Sequence, residues 1–194
     1  METTLNLTEN RKLIVSYDEW ADSPRTWDNL TKMIFFGKHK HLGDKHNINP
    51  DNYNGWDKLE EAIKKEYDVI LIQKVYAYSH GGLTISTSPF SCPWDSGTLG
   101  FVIITKQDIK QNYGWKVITK KRLDEVSNSL DRIIESEIEV LDNYIQGEVF
   151  SFQIQDEAGE IEDSCSGFYG SDIKVNGILD YIPNEDKKLV LEQI

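Results

Sequence analysis

The chain has 194 residues, of which 39% are hydrophobic and 11% aromatic, so it carries enough apolar surface to fold as a globular protein. Its 33 acidic residues against 21 basic ones give a formal net charge of −12, which disfavours direct binding to nucleic-acid phosphates. No run approaches the roughly 18 apolar residues of a membrane span, and no secretory signal opens the sequence. We therefore expect a cytoplasmic protein that binds neither nucleic acid nor a membrane.

The first hundred residues predict short strands separated by irregular segments. Residues 18–29 and 88–97 are dense in turn formers and lack a period of two or 3.6. Residues 55–67 carry apolar side chains every three or four positions, which predicts a helix, and a helical turn follows near residues 105–113. Strand patterns cover residues 12–17, 32–36, 69–78, 83–87 and 99–104.

The strongest periodic pattern lies between residues 119 and 146, where apolar residues recur at steps of three and four. It predicts a helix about 40 Å long, with Thr119 as a plausible N-cap and Gly147 as a plausible terminator. The opposite face of this helix carries carboxylates at intervals of one or two turns: Asp124, Asp131, Glu135, Glu139 and Asp142.

The remaining residues predict a hairpin and two short helices. Residues 148–155 alternate apolar and polar side chains, and residues 160–166 return as the partner strand after a turn. The ends of this hairpin are acidic, with Asp156, Glu157, Glu160, Glu162 and Asp163. Short helical patterns lie near residues 171–181 and after Pro183.

These elements predict an α+β fold in one domain spanning residues 1–194. We expect a mixed or antiparallel sheet packed by one long amphipathic helix and several short helices. The long helix should lie lengthwise on a sheet that contains both the Val69 and the Phe150 strands. Cys92 and Cys165 allow at most one disulfide, and in a reducing compartment we expect two buried free thiols.

Three loops, at residues 22–29, 88–97 and 163–170, combine aromatic residues with Asp, Ser and Gly. Binding surfaces are often built from loops held on a rigid scaffold, so we predict that the three loops converge. The surface would be formed by Trp27, Asp28, Trp94, Asp95, Phe168 and Tyr169.

The same loops carry a resemblance to a known family. The string Ser-Pro-Phe-Ser-Cys-Pro-Trp-Asp-Ser-Gly at residues 88–97, together with Asn29-Leu30, residues 42–46, Tyr144 and residues 147–149, resembles a family of proteins found in bacteriophage and prophage genomes of Gram-positive hosts. The similarity extends from about Lys12 to Tyr181. The sequence departs from the family pattern at Ser79 and Ser166. The resemblance implies phage origin, the cytoplasm of the host cell and a role in the encounter with the host, and it names no reaction.

Histidines and aspartates supply two candidate chemical sites. His39, His41, Asp44 and His46 could ligate a divalent cation, although the lysines between them favour a polar loop with solvated histidines. Asp28, Asp44 and Asp95 with His46 and His80 could form an acid–base or Mg²⁺ pocket, or could simply cap turns. A third possibility uses Cys92 or Cys165 as nucleophile and His46 or His80 as base.

The acidic surface supports the preferred functional hypothesis. Carboxylates spaced one turn apart can imitate a row of phosphates, although an ordinary solvated helix face has the same pattern. We expect a non-enzymatic phage protein without a cofactor that inhibits or modulates a host protein, such as a defence or nucleic-acid-processing machine. The alternative is a small metal-dependent hydrolase, or a protein that binds a nucleotide or another ligand, acting through the Asp and His loops.

Overall fold

The computed structural model describes residues 2–194 and confirms an α+β fold with two antiparallel sheets and one long helix. The strands are β1 (Glu2–Asn6), β2 (Lys12–Tyr17), β3 (Lys32–Phe35), β4 (Val69–Ser79), β5 (Leu83–Ser86), β6 (Ser96–Thr105), β7 (Val149–Gln155) and β8 (Ile161–Tyr169). The helices are α1 (Trp56–Glu66), α2 (Lys106–Tyr113), α3 (Lys120–Gln146), α4 (Ile178–Tyr181) and α5 (Asn184–Gln193). Short 3-10 helices lie in several of the connections.

The chain divides into two compact units. The first unit comprises residues 1–23 and 143–194 and contains the sheet β1-β2-β7-β8. The second unit comprises residues 24–142 and contains the sheet β3-β6-β4-β5. The single-domain expectation remains a prediction, because compactness alone does not tell whether the units fold separately.

The sheet of the first unit buries one face against the C-terminal helices. Along β7 apolar side chains alternate with polar ones from Phe150 onward, and in β2 the buried Leu13 and Val15 flank the half-buried Ile14. Val15 pairs with Phe152, and Leu13 pairs with Ile154. Three buried apolar residues in or next to α4 and α5 complete this core: Ile178, Ile182 and Val190. The alternation predicted for β7 is therefore confirmed.

Residues 160–166 were predicted to be the partner strand of β7, and β8 confirms this pairing. The loop predicted at residues 163–170 is wrong, because β8 extends to Tyr169. Its Ser and Gly content is typical of turns, but Gly167 has φ +84° and sits at a shift in the β7–β8 register, where it forms a bulge in the strand. A strand that contains a bulge and faces solvent on most of its length lacks the apolar alternation by which strands are recognised.

The second unit is organised around β6, whose last seven residues are buried. Phe101 and Ile103 pack with Leu59 and Ile63 of α1. A side chain at Gly100 would collide with the carbonyl oxygen of Ile34, so the close approach of β3 requires glycine there.

Helix α3 lies on the other face of this second sheet. Gln73 on β4, which pairs in register with Val102, donates from Nε2 to a carboxylate oxygen of Asp131 at 3.0 Å. The backbone N–H of Ile85 donates to Asp142 at 2.7 Å. The apolar stripe of α3 is buried at Leu130, Ile134, Ile138 and Leu141. The predicted helix and its packing on the Val69 sheet are confirmed, but the Phe150 strand belongs to the other sheet.

Among residues 2–194 no helix combines the length and the apolar character that crossing a bilayer demands.

Candidate functional site

The formal charge of the protein is concentrated in the first unit. Residues 1–23 and 143–194 contain 16 Asp and Glu against 5 Lys and Arg, a net charge of −11. Residues 24–142 contain 17 acidic and 16 basic residues, a net charge of −1. The strongly acidic surface therefore belongs to the smaller unit, and the unit that holds most of α3 is almost neutral.

Fewer carboxylates are exposed on α3 than the sequence pattern predicted. Asp131 and Asp142 accept hydrogen bonds from the sheet beneath the helix, so these two carboxylates serve packing. Asp124, Glu135 and Glu139 remain exposed. Three exposed carboxylates spread over about four turns are an ordinary solvated helix face.

The predicted acidic hairpin keeps its carboxylates at the surface. Asp156 fixes the β7–β8 turn, because its Oδ1 accepts hydrogen bonds from the backbone N–H groups of Ala158 and Glu160, both at 2.8 Å. Glu157 and Glu160 are exposed beside this turn. Glu157 and Glu160 therefore lie on a turn whose backbone is held in one conformation by Asp156.

Two further carboxylates extend the acidic hairpin along β8. Glu162 and Asp163 are exposed, and Glu162 lies 3.7 Å from a guanidinium nitrogen of Arg11. The second guanidinium nitrogen of Arg11 is bound more closely to Asp186, at 2.8 Å. One shared arginine does not neutralise the hairpin.

Phe168, which was predicted to lie on the loop surface, is instead buried in β8. Its ring contacts Phe152 and Tyr181 at centroid distances of 5.6 and 5.4 Å in the core of the first unit. Tyr169 is half-buried, and its hydroxyl donates to the backbone carbonyl of Asp22 at 2.9 Å. Trp27 and Asp28, by contrast, are exposed on their connection before β3.

The 88–97 loop does approach a small set of reactive side chains. One carboxylate oxygen of Asp95 lies 3.2 Å from Nδ1 of His80 and accepts a hydrogen bond from Cys92 Sγ at 3.6 Å. Asp95 also lines an open cleft of about 430 Å³ beside Trp94, whose surface is 92% exposed. The Cys92 thiol is therefore bonded to a carboxylate of its own loop.

Both cysteines are free, as expected, but neither is fully buried. Cys92 bonds to Asp95 as described, and Cys165 packs beside the core of the first unit. The thiol of Cys165 lies 3.7 Å from the carbonyl oxygen of Ser166. Neither of its contacts brings a base to Cys165.

The proposed histidine metal site is not assembled in the structure. His46 Nε2 is 2.8 Å from the carbonyl oxygen of Phe35, and the rings of His39 and His41 stand 6.3 Å apart. Within residues 2–194 no three His, Cys, Asp or Glu side chains are arranged to hold a metal ion. Burial, then the charges of Lys38 and His41, lowers the pKa of His39.

Asp44, the fourth predicted ligand, is part of a network that sequence patterns did not reveal. Arg25, whose side chain is 7% exposed, donates to Asp44 at 2.6 Å and to Glu137 of α3 at 2.9 Å. Asp44 also accepts from the backbone N–H of Met33, and Glu137 accepts from the hydroxyl of Thr31. In the sequence, the one sign that Glu137 takes part in this network is its position at the edge of the apolar stripe of α3.

Comparisons with protein families, with curated proteins and with solved structures give no match. The functional argument therefore rests on the chemistry of the chain itself. Of the predicted sites, the hairpin carboxylates alone remain grouped, exposed and supported by the charge of their whole unit.

Proposed function

We propose that the chain is a phage-encoded binding protein whose acidic first unit occupies a basic surface on a host protein. The observation that carries this proposal is the separation of charge, −11 in one compact unit against −1 in the other. Solubility alone would be served by carboxylates spread over the whole surface.

The preferred partner is a protein that binds nucleic acid. Such proteins hold phosphate backbones with exposed Lys and Arg, and a surface bearing closely spaced carboxylates can compete for the same cations. The β7–β8 hairpin supports this role, because Asp156 fixes its turn while Glu157, Glu160 and Glu162 are exposed, although Glu157 accepts from Asn10 at 3.3 Å and Glu162 contacts Arg11. Exposed carboxylates on a fixed backbone lose little conformational freedom on binding.

The test captures host proteins on the immobilised chain and compares two triple variants. The hairpin variant carries Glu157→Gln, Glu160→Gln and Glu162→Gln. It should weaken binding of the captured partner by about tenfold or more, since three charge pairs are lost. Binding should also fall steeply with salt, because the screening length shrinks from about 10 Å at 0.1 M to about 3 Å at 1 M.

The matched control removes the same number of charges from α3, through Asp124→Asn, Glu135→Gln and Glu139→Gln. This helix variant should bind the partner within about twofold of the parent, since exposed charges outside an interface contribute little. The partner should also be released by a duplex oligonucleotide, which competes for the same basic surface. The proposal would be contradicted if both variants lost partner binding equally, or if both kept partner binding at high salt.

A further inference from the structure

A second feature of the first unit lies where β2, the end of α3 and the start of β7 meet. An open cleft of about 500 Å³ is lined there by Tyr17, Asp18, Glu19, Tyr144 and Gly147. All these residues belong to the first unit. No described residue that lines the cleft is basic.

The two carboxylates of the cleft are available to a ligand. Asp18 is held in place because its N–H donates to the carbonyl of Val149 at 2.8 Å, and its Oδ1 accepts from the N–H of Trp20 at 3.1 Å. Glu19 is exposed. Among residues 2–194, neither Asp18 nor Glu19 takes part in an ion pair.

The aromatic rings add a second attraction for positive charge. Tyr17 is 44% exposed and stacks on Phe150 with the centroids 5.0 Å apart, which fixes the plane of its ring. Tyr144, on the last turn of α3, also lines the cleft. The face of a tyrosine ring attracts a guanidinium or ammonium group because its π system carries partial negative charge.

The end of α3 contributes a third attraction. The 27-residue helix ends at Gln146, and Gly147, with φ +73°, turns the chain out of it at the cleft. A helix C-terminus carries about half a negative charge and favours cations, yet the last turn of α3 contains no basic residue. The helix terminus therefore lacks the local lysine or arginine that commonly neutralises it.

The negative potential of this region also acts on a neighbouring group. Burial first, and then the fields of Asp18, Tyr144 and Asp22, raises the pKa of Tyr169. Of these three side chains, the carboxylates of Asp18 and Asp22 are negatively charged at neutral pH, and the field that disfavours a tyrosinate would favour a cation.

We propose that this cleft binds an arginine side chain of the protein partner. Arginine fits better than lysine, because its planar guanidinium can stack on a tyrosine ring and donate to carboxylates from the same plane. The inference rests on the proposed function, since the −11 charge of the unit attracts the partner and the cleft then selects one side chain.

The test titrates the full-length chain with a capped hexaarginine peptide at low ionic strength and follows backbone amide NMR signals. We expect the largest shifts in residues 17–21 and 144–149. A capped hexalysine peptide should bind about threefold or more weakly. Tyr144→Leu should weaken hexaarginine binding about threefold, whereas Tyr144→Phe, which keeps the ring, should bind like the parent.

The charge control compares Glu19→Gln with Asp180→Asn, each of which removes one exposed carboxylate from the first unit. Only Glu19→Gln should weaken hexaarginine binding by threefold or more. Equal effects of the two variants, or equal affinity for the two peptides, would overturn the cleft proposal and leave the proposed function intact. The proposed function fails separately, in the capture experiment with the hairpin variant, which leaves the cleft unchanged.

Discussion

At the residue scale, each buried charge in this protein is held by more than one partner, as the Asp186 carboxylate illustrates. Asp186 is fully buried, yet it accepts from Arg11 at 2.8 Å and from the N–H of Thr8 at 2.7 Å. These bonds tie α5 to the connection between β1 and β2. Neither Asp186 nor Arg11 stood out in the sequence, because 175 residues separate them and each lies in an ordinary polar context.

Replacing Asp186 with alanine should destabilise the protein by roughly 3 kcal/mol, because the largely buried Arg11 loses its close carboxylate partner and keeps only the 3.7 Å contact with Glu162. Chemical denaturation measures the loss. Glu192→Ala is the control, since it removes an exposed partner 3.7 Å from Lys188 on the same helix and should cost about 0.5 kcal/mol or less. Equal costs would show that the burial of Asp186 does not matter for stability.

His39 gives a residue-scale prediction about pH. Burial first, then the charges of Lys38 and His41, lowers its pKa below the ordinary value of 6.5. The folded state binds a proton at His39 less readily than the unfolded state does. The contribution of neutral His39 to folding stability is therefore complete above pH 6.5 and is lost as the pH falls through the pKa of the folded state. Proton NMR of the histidine ring signals should show His39 titrating below 6.5.

Lys38→Met should raise the pKa of His39 towards its ordinary value, since it removes a neighbouring positive charge. Lys65→Met provides the comparison, because that lysine is not among the charges that act on His39. A pKa of His39 at or above 6.5 in the parent protein would rule out this account of its surroundings.

At the element scale, local periodicity predicted helices well and strand partners poorly. The pattern of α3 is complete within its own residues, so its position and buried face followed from the sequence. The pairing of β7 with β2 joins residues about 135 positions apart, such as Ser16 and Ser151, and no local pattern contains that information. For the same reason the Phe150 strand was assigned to the wrong sheet.

The buried face of α3 can be tested with one substitution. Ile134→Asp places an unpaired charge at a fully buried position and should cost about 4 kcal/mol or more. Ser136→Asp introduces the same side chain at an exposed position two residues away, where we expect a change within about 0.5 kcal/mol. Thermal unfolding followed by circular dichroism separates the two outcomes, and similar melting temperatures would remove α3 from the core.

At the scale of the whole molecule, composition predicted the net charge but not its distribution. The value of −12 can be counted from the sequence, whereas its separation depends on residues 143–194 returning to residues 1–23 to form one sheet. The candidate site was therefore only partly predictable. The hairpin carboxylates stand out locally, but the neutrality of the α3 unit appears only after the residues are divided between the two units.

The charge separation predicts different changes in stability when exposed carboxylates are neutralised in the two units. Glu2→Gln, Glu9→Gln and Glu160→Gln together remove three exposed charges from the −11 unit. Relief of like-charge repulsion should stabilise the protein by about 1 kcal/mol, or about 2–4 °C in melting temperature at low salt.

The corresponding change in the second unit uses Asp124→Asn, Glu135→Gln and Glu139→Gln, which are also exposed and make no side-chain hydrogen bond or ion pair among residues 2–194. This unit has nearly equal numbers of acidic and basic residues, so neutralisation removes as much attraction as repulsion, and the melting temperature should stay within about 1 °C of the parent. At about 0.5 M NaCl the difference between the two variants should disappear, because exposed charges are then screened within about 4–5 Å. Equal shifts in the two variants at low salt would mean that the repulsion is spread over the whole surface, and the charge separation would then have no energetic consequence for either the fold or the partner.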